Sequence, residues 1–151
     1  TMDGNFLSIN DFSGKTVIIV FWATHAKPFL DSFEELQALT TKYQKYAQVL
    51  SVNLDSEEGQ VDAFLVQNRL TWPIIFHAEH NKRGWNAPLA AYYGVTNLPT
   101  IWIVDPTGAV AETDLTPSTL EAKLREVILK HRNAAAGPTV DQNTGESPRK
   151  L

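Results

Sequence analysis

This sequence predicts an α/β fold, a mixed central β-sheet flanked by helices, on three observations. Two apolar, β-branched runs of strand length, Thr16 to Trp22 and Gln48 to Leu54, are each followed by a segment of helical periodicity. A later run, Thr100 to Val104, enters Asp105-Pro106-Thr107-Gly108, a turn that sends the chain straight back. The 151 residues, 43% hydrophobic and 20% charged, fit one ordinary globular domain.

The elements follow in chain order. Asp3-Gly4 signals a turn, and Phe6-Leu7-Ser8-Ile9 reads as a short strand. Ser13-Gly14-Lys15 is a second turn. Thr16 to Trp22 has almost no polar position, as expected of a central strand covered on both faces. Pro28 suits the first turn of a helix, and Phe33, Leu36, Thr40 and Tyr43 mark its inner face. After the strand Gln48 to Leu54, Asp55 or Ser56 is placed to cap a second helix with Val61, Phe64 and Leu65 inward. Trp72 to Phe76 is a third apolar segment, and His77 to Pro88 is a polar loop. Pro88 to Tyr93 is a short helix closed by Gly94. Thr100 to Val104 and Ala109 to Thr113 form a hairpin. A last helix starts at Thr116-Pro117-Ser118, with Ser118 and Glu121 fitting a capping box and Leu120, Leu124, Val127 and Ile128 forming the stripe. The alternating front half requires right-handed parallel crossovers, and the closing hairpin is antiparallel. One domain is expected over residues 1–132. From Asn133 the pattern stops, and 133–151 is expected to be a disordered tail or linker.

Composition removes several functions. The net charge is 13 − 17 = −4, without the basic footprint of a nucleic-acid binder. No apolar run approaches the roughly 18 residues that span a bilayer, so no direct membrane insertion by this segment is expected. The cysteine count is zero, which removes thiol catalysis, disulfides and cysteine-ligated metal from this chain. Thr1-Met2-Asp3-Gly4 has no signal-peptide character, and Thr before Met raises the expectation of a piece of a longer protein.

Several separated segments carry a family resemblance. Gly14-Lys15-Thr16-Val17-Ile18-Ile19-Val20-Phe21-Trp22-Ala23-Thr24 resembles the strand that enters the active site of TlpA-like thioredoxin-fold proteins, the redoxins of the thiol-disulfide oxidoreductase and AhpC/TSA superfamily. Where that family continues Trp-Cys-Gly-Pro-Cys, this chain continues His25-Ala26-Lys27-Pro28-Phe29. Aligned on Pro28, Ala26 replaces the first cysteine and Phe29 the second. Tyr93-Gly94-Val95-Thr96-Asn97-Leu98-Pro99-Thr100 resembles the family's cis-proline segment, and Asp105 to Gly108 its hairpin turn. Gly84-Trp85-Asn86-Ala87-Pro88 is similar to a stretch of envelope-associated members. The resemblance covers roughly Gly4 to His131. It implies a thioredoxin-like fold with an N-terminal β-hairpin element, a cis Leu98-Pro99 bond, and a periplasmic or cell-envelope setting in a bacterium.

It does not imply the family's reaction. Disulfide exchange needs an attacking thiolate and a resolving thiol. Ala26 and Phe29 are neither, and His25 and Lys27 cannot form and release a disulfide. This chain alone is therefore not expected to be an enzyme of that kind, and no cofactor is expected. The expected function is a redox-inactive thioredoxin-like domain kept for binding protein or extended peptide, or for structural support, in a larger envelope protein. The alternative is part of an oxidoreductase whose cysteines come from another domain or partner.

The candidate surface is the groove between the relic loop His25-Ala26-Lys27-Pro28-Phe29 and Leu98-Pro99. Leu98 can offer backbone to an extended peptide, since such pairing needs no thiol. Trp22 and Phe29 are expected as apolar walls, and Lys27 is expected to favour acidic sequences. Trp22 and Trp85 are the tryptophans expected at the surface near the loop. An anion site at the helix start is weighed against a loop that kept its shape and lost its chemistry, and the latter is preferred. His77-Ala78-Glu79-His80 lacks the spacing of a helical zinc motif and is read as solvated loop, so no metal site is expected. Asp55 and Asp105 are read as turn or helix caps.

Overall fold

A computed structural model describes Phe6, residues 9–70 and residues 72–144, with the backbone alone over 133–144. One five-stranded sheet has the order β3-β2-β1-β4-β5. Its strands are β1 (Thr16–Trp22), β2 (Ala47–Asn53), β3 (Ile74–Ile75), β4 (Thr100–Val104) and β5 (Val110–Leu115). The helices are α1 (Lys27–Lys42), α2 (Glu58–Gln67), α3 (Pro88–Tyr93) and α4 (Pro117–Thr144). The β1–β2 and β2–β3 pairs are parallel, and β1–β4 and β4–β5 are antiparallel. The mixed sheet expected from the sequence is therefore present.

β1 lies at its centre because every one of its residues is buried, which only a strand covered on both faces can satisfy. Its alternate residues feed two cores. Ile18, Val20 and Trp22 face α1, α2 and α4, meeting Phe29, Phe33, Leu36, Leu120 and Leu124. Val17, Ile19 and Phe21 face α3, with Leu50, Val52 and Ala90. The expected inner faces of α1 and α4 are correct, except that Phe29 joins the α1 face and Tyr43 caps its end.

Several local expectations change. Ile9 belongs not to a strand but to a 3-10 turn, Ile9–Phe12, and Leu7 and Ser8 lie outside the described residues. The expected N-terminal hairpin thus has no strand among the described residues. Glu57, not Asp55 or Ser56, precedes α2. At the start of α4 the backbone N–H of Thr116 donates to the Thr119 hydroxyl at 3.0 Å, so capping falls on these two threonines and not on Ser118 with Glu121. Glu121 instead accepts from the Lys42 ammonium at 2.6 Å and the Tyr43 hydroxyl at 2.8 Å, tying α4 to the end of α1. The helical backbone of α4 continues from Asn133 to Thr144, where the sequence reading ended the pattern. Ala134-Ala135-Ala136 supplies the strongest helix former there. Residues 145–151 of the expected tail lie outside the described residues.

Candidate functional site at the C-terminal end of the central strand

β1 delivers the relic loop at the end of the sheet. Leu54 N–H donates to the Trp22 carbonyl at 2.8 Å, so β2 still holds β1 where the loop begins. Thr24 is then fixed by a carboxylate. Asp55, fully buried, accepts from Thr24 N–H at 2.9 Å, from the Thr24 hydroxyl at 2.7 Å and from the Asn53 side-chain amide at 2.7 Å. Asp55 is thus a clamp on the relic loop rather than a helix cap. Sequence reasoning missed this because Thr24 is 31 residues away and only the parallel β1–β2 register brings the two together.

Ala26 precedes α1 in extended conformation, and its carbonyl accepts from Phe29 and Leu30 N–H at 3.0 and 3.1 Å. No side chain caps this helix end among the described residues. Lys27 does not present a free charge: its ammonium is 3.0 Å from both carboxylate oxygens of Asp31, one turn along. Both side chains are largely exposed, so the pair contributes little to stability.

Phe29 and Trp22 depart most from expectation. Both are fully buried, with ring centroids 4.8 Å apart and planes at 29°. Phe33 and Phe64 complete the aromatic cluster. Neither Trp22 nor Phe29 is a wall of an open groove; they form the floor beneath the loop. The Trp22 indole N–H has no hydrogen-bond partner among the described residues. Trp85 is surface, as expected, at 52% exposure.

A space lies beside the relic loop, and of His25 to Phe29 only Pro28 lines it. Pro28 and Ser32 of α1 stand across from Leu98 and Pro99, with a cis peptide bond between the latter two, as expected. Thr116, Pro117 and Ser118 close a third side of a space of about 400 Å3. Glu35, one turn beyond Ser32, is the ionisable side chain lining it. Thr116 to Ser118 and Glu35 escaped sequence reasoning because they lie on elements distant in sequence from both motifs. Leu98 is half-buried and Pro28 exposed. Thr100 donates its hydroxyl to the Asn97 carbonyl at 2.6 Å and fixes the loop that carries Leu98.

The long loop after β3 is organised by one residue the sequence reading did not single out. The Arg83 guanidinium, almost fully buried, donates to the carbonyls of His77 at 2.8 Å and Ala78 at 3.1 Å, and stacks 4.6 Å from the Phe76 ring centroid. Its Nη1 lies 3.3 Å from His80 Nδ1. The segment read as solvated loop is therefore pinned from inside, in two 3-10 turns, His80–Lys82 and Gly84–Asn86. Burial first, and then the Lys82 charge, push the His77 imidazole below its ordinary pKa.

The sheet order, the helix after β1 and the cis-proline loop opposite its start define a thioredoxin-like α/β fold. The chain shares it with the thioredoxin domain of a thiol-disulfide oxidoreductase from Bacteroides vulgatus, at TM-score 0.73 and 20% identity over 83% of this chain and 88% of that one. A thiol-disulfide oxidoreductase from Bacteroides fragilis superposes at TM-score 0.71 with 25% identity, over 83% of this chain and 91% of that one.

Residues 1–113 match the AhpC/TSA family, and the chain belongs to it, as a TlpA-like redoxin without cysteine. It is 33% identical over 130 residues to thioredoxin-like protein YneN of Bacillus subtilis, covering 82% of this chain and 72% of YneN. It is 30% identical over 130 residues to thiol-disulfide oxidoreductase ResA of Oceanobacillus iheyensis, covering 83% of this chain and 64% of ResA.

Proposed function

We propose that this chain is a redox-inactive thioredoxin-like domain that holds an extended peptide, without covalent capture, within a larger envelope protein. One observation carries the reading: Pro28 and Leu98-Pro99 still enclose a groove, while positions 26 and 29 hold Ala and Phe. A peptide laid there pairs with the backbone beside Leu98 and packs on Pro28, Pro99 and Pro117. Edge pairing and apolar contact survive the loss of both thiols, whereas disulfide capture does not.

The charge preference is the reverse of the sequence expectation. Lys27 is matched by Asp31, and Glu35 lines the groove, so neutral or basic peptides are favoured over acidic ones. Covalent trapping is absent, and affinity is correspondingly modest. The envelope setting rests on the family resemblance.

The test is an NMR titration with extended peptides differing only in charge. Saturable shifts at Ser32, Glu35, Leu98 and Thr116 to Ser118, strongest for the basic peptide, are the expected result. Shifts confined to residues 77–87 would place the working surface on the long loop and remove the groove from consideration. A companion assay for insulin reduction should show no turnover above the reductant blank. The relatives named thiol-disulfide oxidoreductases favour a second reading, in which thiols of another domain act on a substrate presented here. A Cys-x-x-Cys elsewhere in the full-length gene product is its signature.

A further inference from the structure

The opposite end of β1 carries a second hollow with different chemistry. The chain leaving α1 returns Lys45 and Tyr46 to where β1 begins, and the middle of α4, Ile128 to Arg132, passes the same place. Tyr46 and Ile128 meet Lys15 and Pro106 there around a space of about 430 Å3. Lys45 and Arg132 complete the cationic side of its lining, His131 lies beside them, and no carboxylate is among the described lining residues.

Three features make this more than a solvated basic rim. First, Lys15, Lys45 and Arg132 form no ion pair among the described residues, although acidic residues outnumber basic ones 17 to 13 in the chain. Elsewhere Lys27, Lys42, Lys82, Arg83 and Lys123 are paired with carboxylates and, among the described residues, Arg69, Arg125 and Lys130 stand singly, whereas here three unpaired cations line one space. Second, the cations are arranged about an aromatic ring: the Arg132 guanidinium carbon lies 5.4 Å and the Lys45 ammonium 5.9 Å from the Tyr46 centroid. Third, Tyr46 is 43% exposed, so part of its side chain is open to an apolar group.

Asp105, which precedes the lining residue Pro106, is already engaged. It accepts from Thr107 N–H at 2.9 Å, the Thr107 hydroxyl at 2.5 Å and Ala109 N–H at 3.2 Å, and lies 3.5 Å from His131 Nε2. It therefore holds His131 at the rim and leaves the two lysines and the arginine unanswered.

We propose that this hollow binds a phosphate-bearing ligand with an aromatic or apolar body. The planar fork of Arg132 suits two phosphate oxygens, and Lys15 and Lys45 supply point charges to the rest. Tyr46, Ile128 and Pro106 give the body an apolar seat. The space holds a small organic molecule and is smaller than a macromolecular interface.

Phenyl phosphate is the probe, titrated into the full chain at low salt and followed by amide shifts, with phenol and inorganic phosphate as controls. Saturable shifts at Lys15, Lys45, Tyr46 and Arg132 are expected, with phenol silent and inorganic phosphate weaker. The double variant Lys45→Gln/Arg132→Gln should bind about tenfold or more weakly. Tyr46→Leu should weaken phenyl phosphate and spare inorganic phosphate. Both sites are exposed, so unchanged melting curves confirm intact folding. Co-sedimentation with phosphatidylglycerol vesicles but not phosphatidylcholine vesicles, lost in the double variant, would assign the phosphate to a lipid headgroup; no co-sedimentation assigns it to a free ligand. An absence of saturable shifts at millimolar probe, or equal binding by the double variant, overturns the proposal.

Discussion

The two ends of β1 carry hollows of similar size, about 400 and 430 Å3, built on opposite electrostatics. At the C-terminal end the relic groove has one anion, Glu35, and its nearby lysine is matched by Asp31. At the N-terminal end three cations stand without ion pairs among the described residues around an exposed tyrosine. The ends also differ beneath the surface. The relic loop sits on a buried aromatic cluster and a buried carboxylate clamp, so its shape is held by core packing. The basic hollow is rimmed by exposed Lys15, Lys45, Tyr46 and Arg132 over the buried Thr16 and Ile128. Changes at the first end should therefore register in stability, and changes at the second in binding.

The largest expected effect comes from restoring thiols. Ala26→Cys should cost little, because it adds one sulfur atom at a small buried residue and removes no packing. Phe29→Cys should destabilise by about 3 kcal/mol, since it empties space against Trp22, Phe33 and Phe64. Urea denaturation of both variants measures the contrast. Equal costs would mean that the loop does not rest on Phe29.

Asp55→Ala comes next. It leaves Thr24 N–H and the Asn53 amide without their acceptor, at a cost of about 2 kcal/mol. Hydrogen exchange at Thr24 to Ala26 should quicken before that of β4. Uniform acceleration through the whole sheet would show a general core role for Asp55 rather than a hold on the loop.

At the other end, Asp105 supplies a pH test. Burial pushes its carboxyl up, but the Thr107 hydroxyl and the N–H groups of Thr107 and Ala109, with the His131 charge, together hold it below its ordinary pKa. A depressed folded-state pKa gives stability that is complete above the unfolded value, about 3.9, and is lost as pH falls through the folded one. The deficit of Asp105→Asn relative to the parent should thus be largest at neutral pH and shrink below about pH 4. A pH-independent deficit would show that the carboxylate charge contributes nothing to this turn.

Smaller still is Lys27→Glu, which breaks an exposed pair worth under about 0.5 kcal/mol. It should leave the groove's preference for neutral or basic peptides in place or sharpen it. If it abolishes an acidic preference instead, Lys27 and not Glu35 sets the charge at this end. The smallest effect is reserved for deletion of residues 136–151. Gly137 and Pro138 are among the poorest helix formers of that stretch, and residues 139–151 are mostly polar. The melting temperature should not move; a drop of many degrees would show that this segment packs on the domain and alters the basic hollow.

Sequence determined the parts of this protein that are periodic or local. The buried run Thr16–Trp22, the stripe from Leu120 to Ile128, the turn at Gly94 and the hairpin at Asp105 to Gly108 follow from patterns a few residues long, and the fold follows from their order. The missing thiols at Ala26 and Phe29 are equally plain, because they are single letters in a recognisable frame. Only the tertiary structure decided what surrounds that frame. Trp22 and Phe29 read as walls from their place beside the loop, but α2 folds Phe64 over them and makes them core. Asp55 read as a cap because its nearest neighbours in sequence form a turn, but the parallel register with β1 gives it Thr24. Lys27 read as a free charge until one helical turn brought Asp31 beneath it. The basic hollow has no signal in sequence at all: Lys15, Lys45 and Arg132 are far apart along the chain, and they converge because α1 ends and the middle of α4 passes where β1 begins. Periodicity records which face of an element is buried; it does not record which distant side chain will be waiting there.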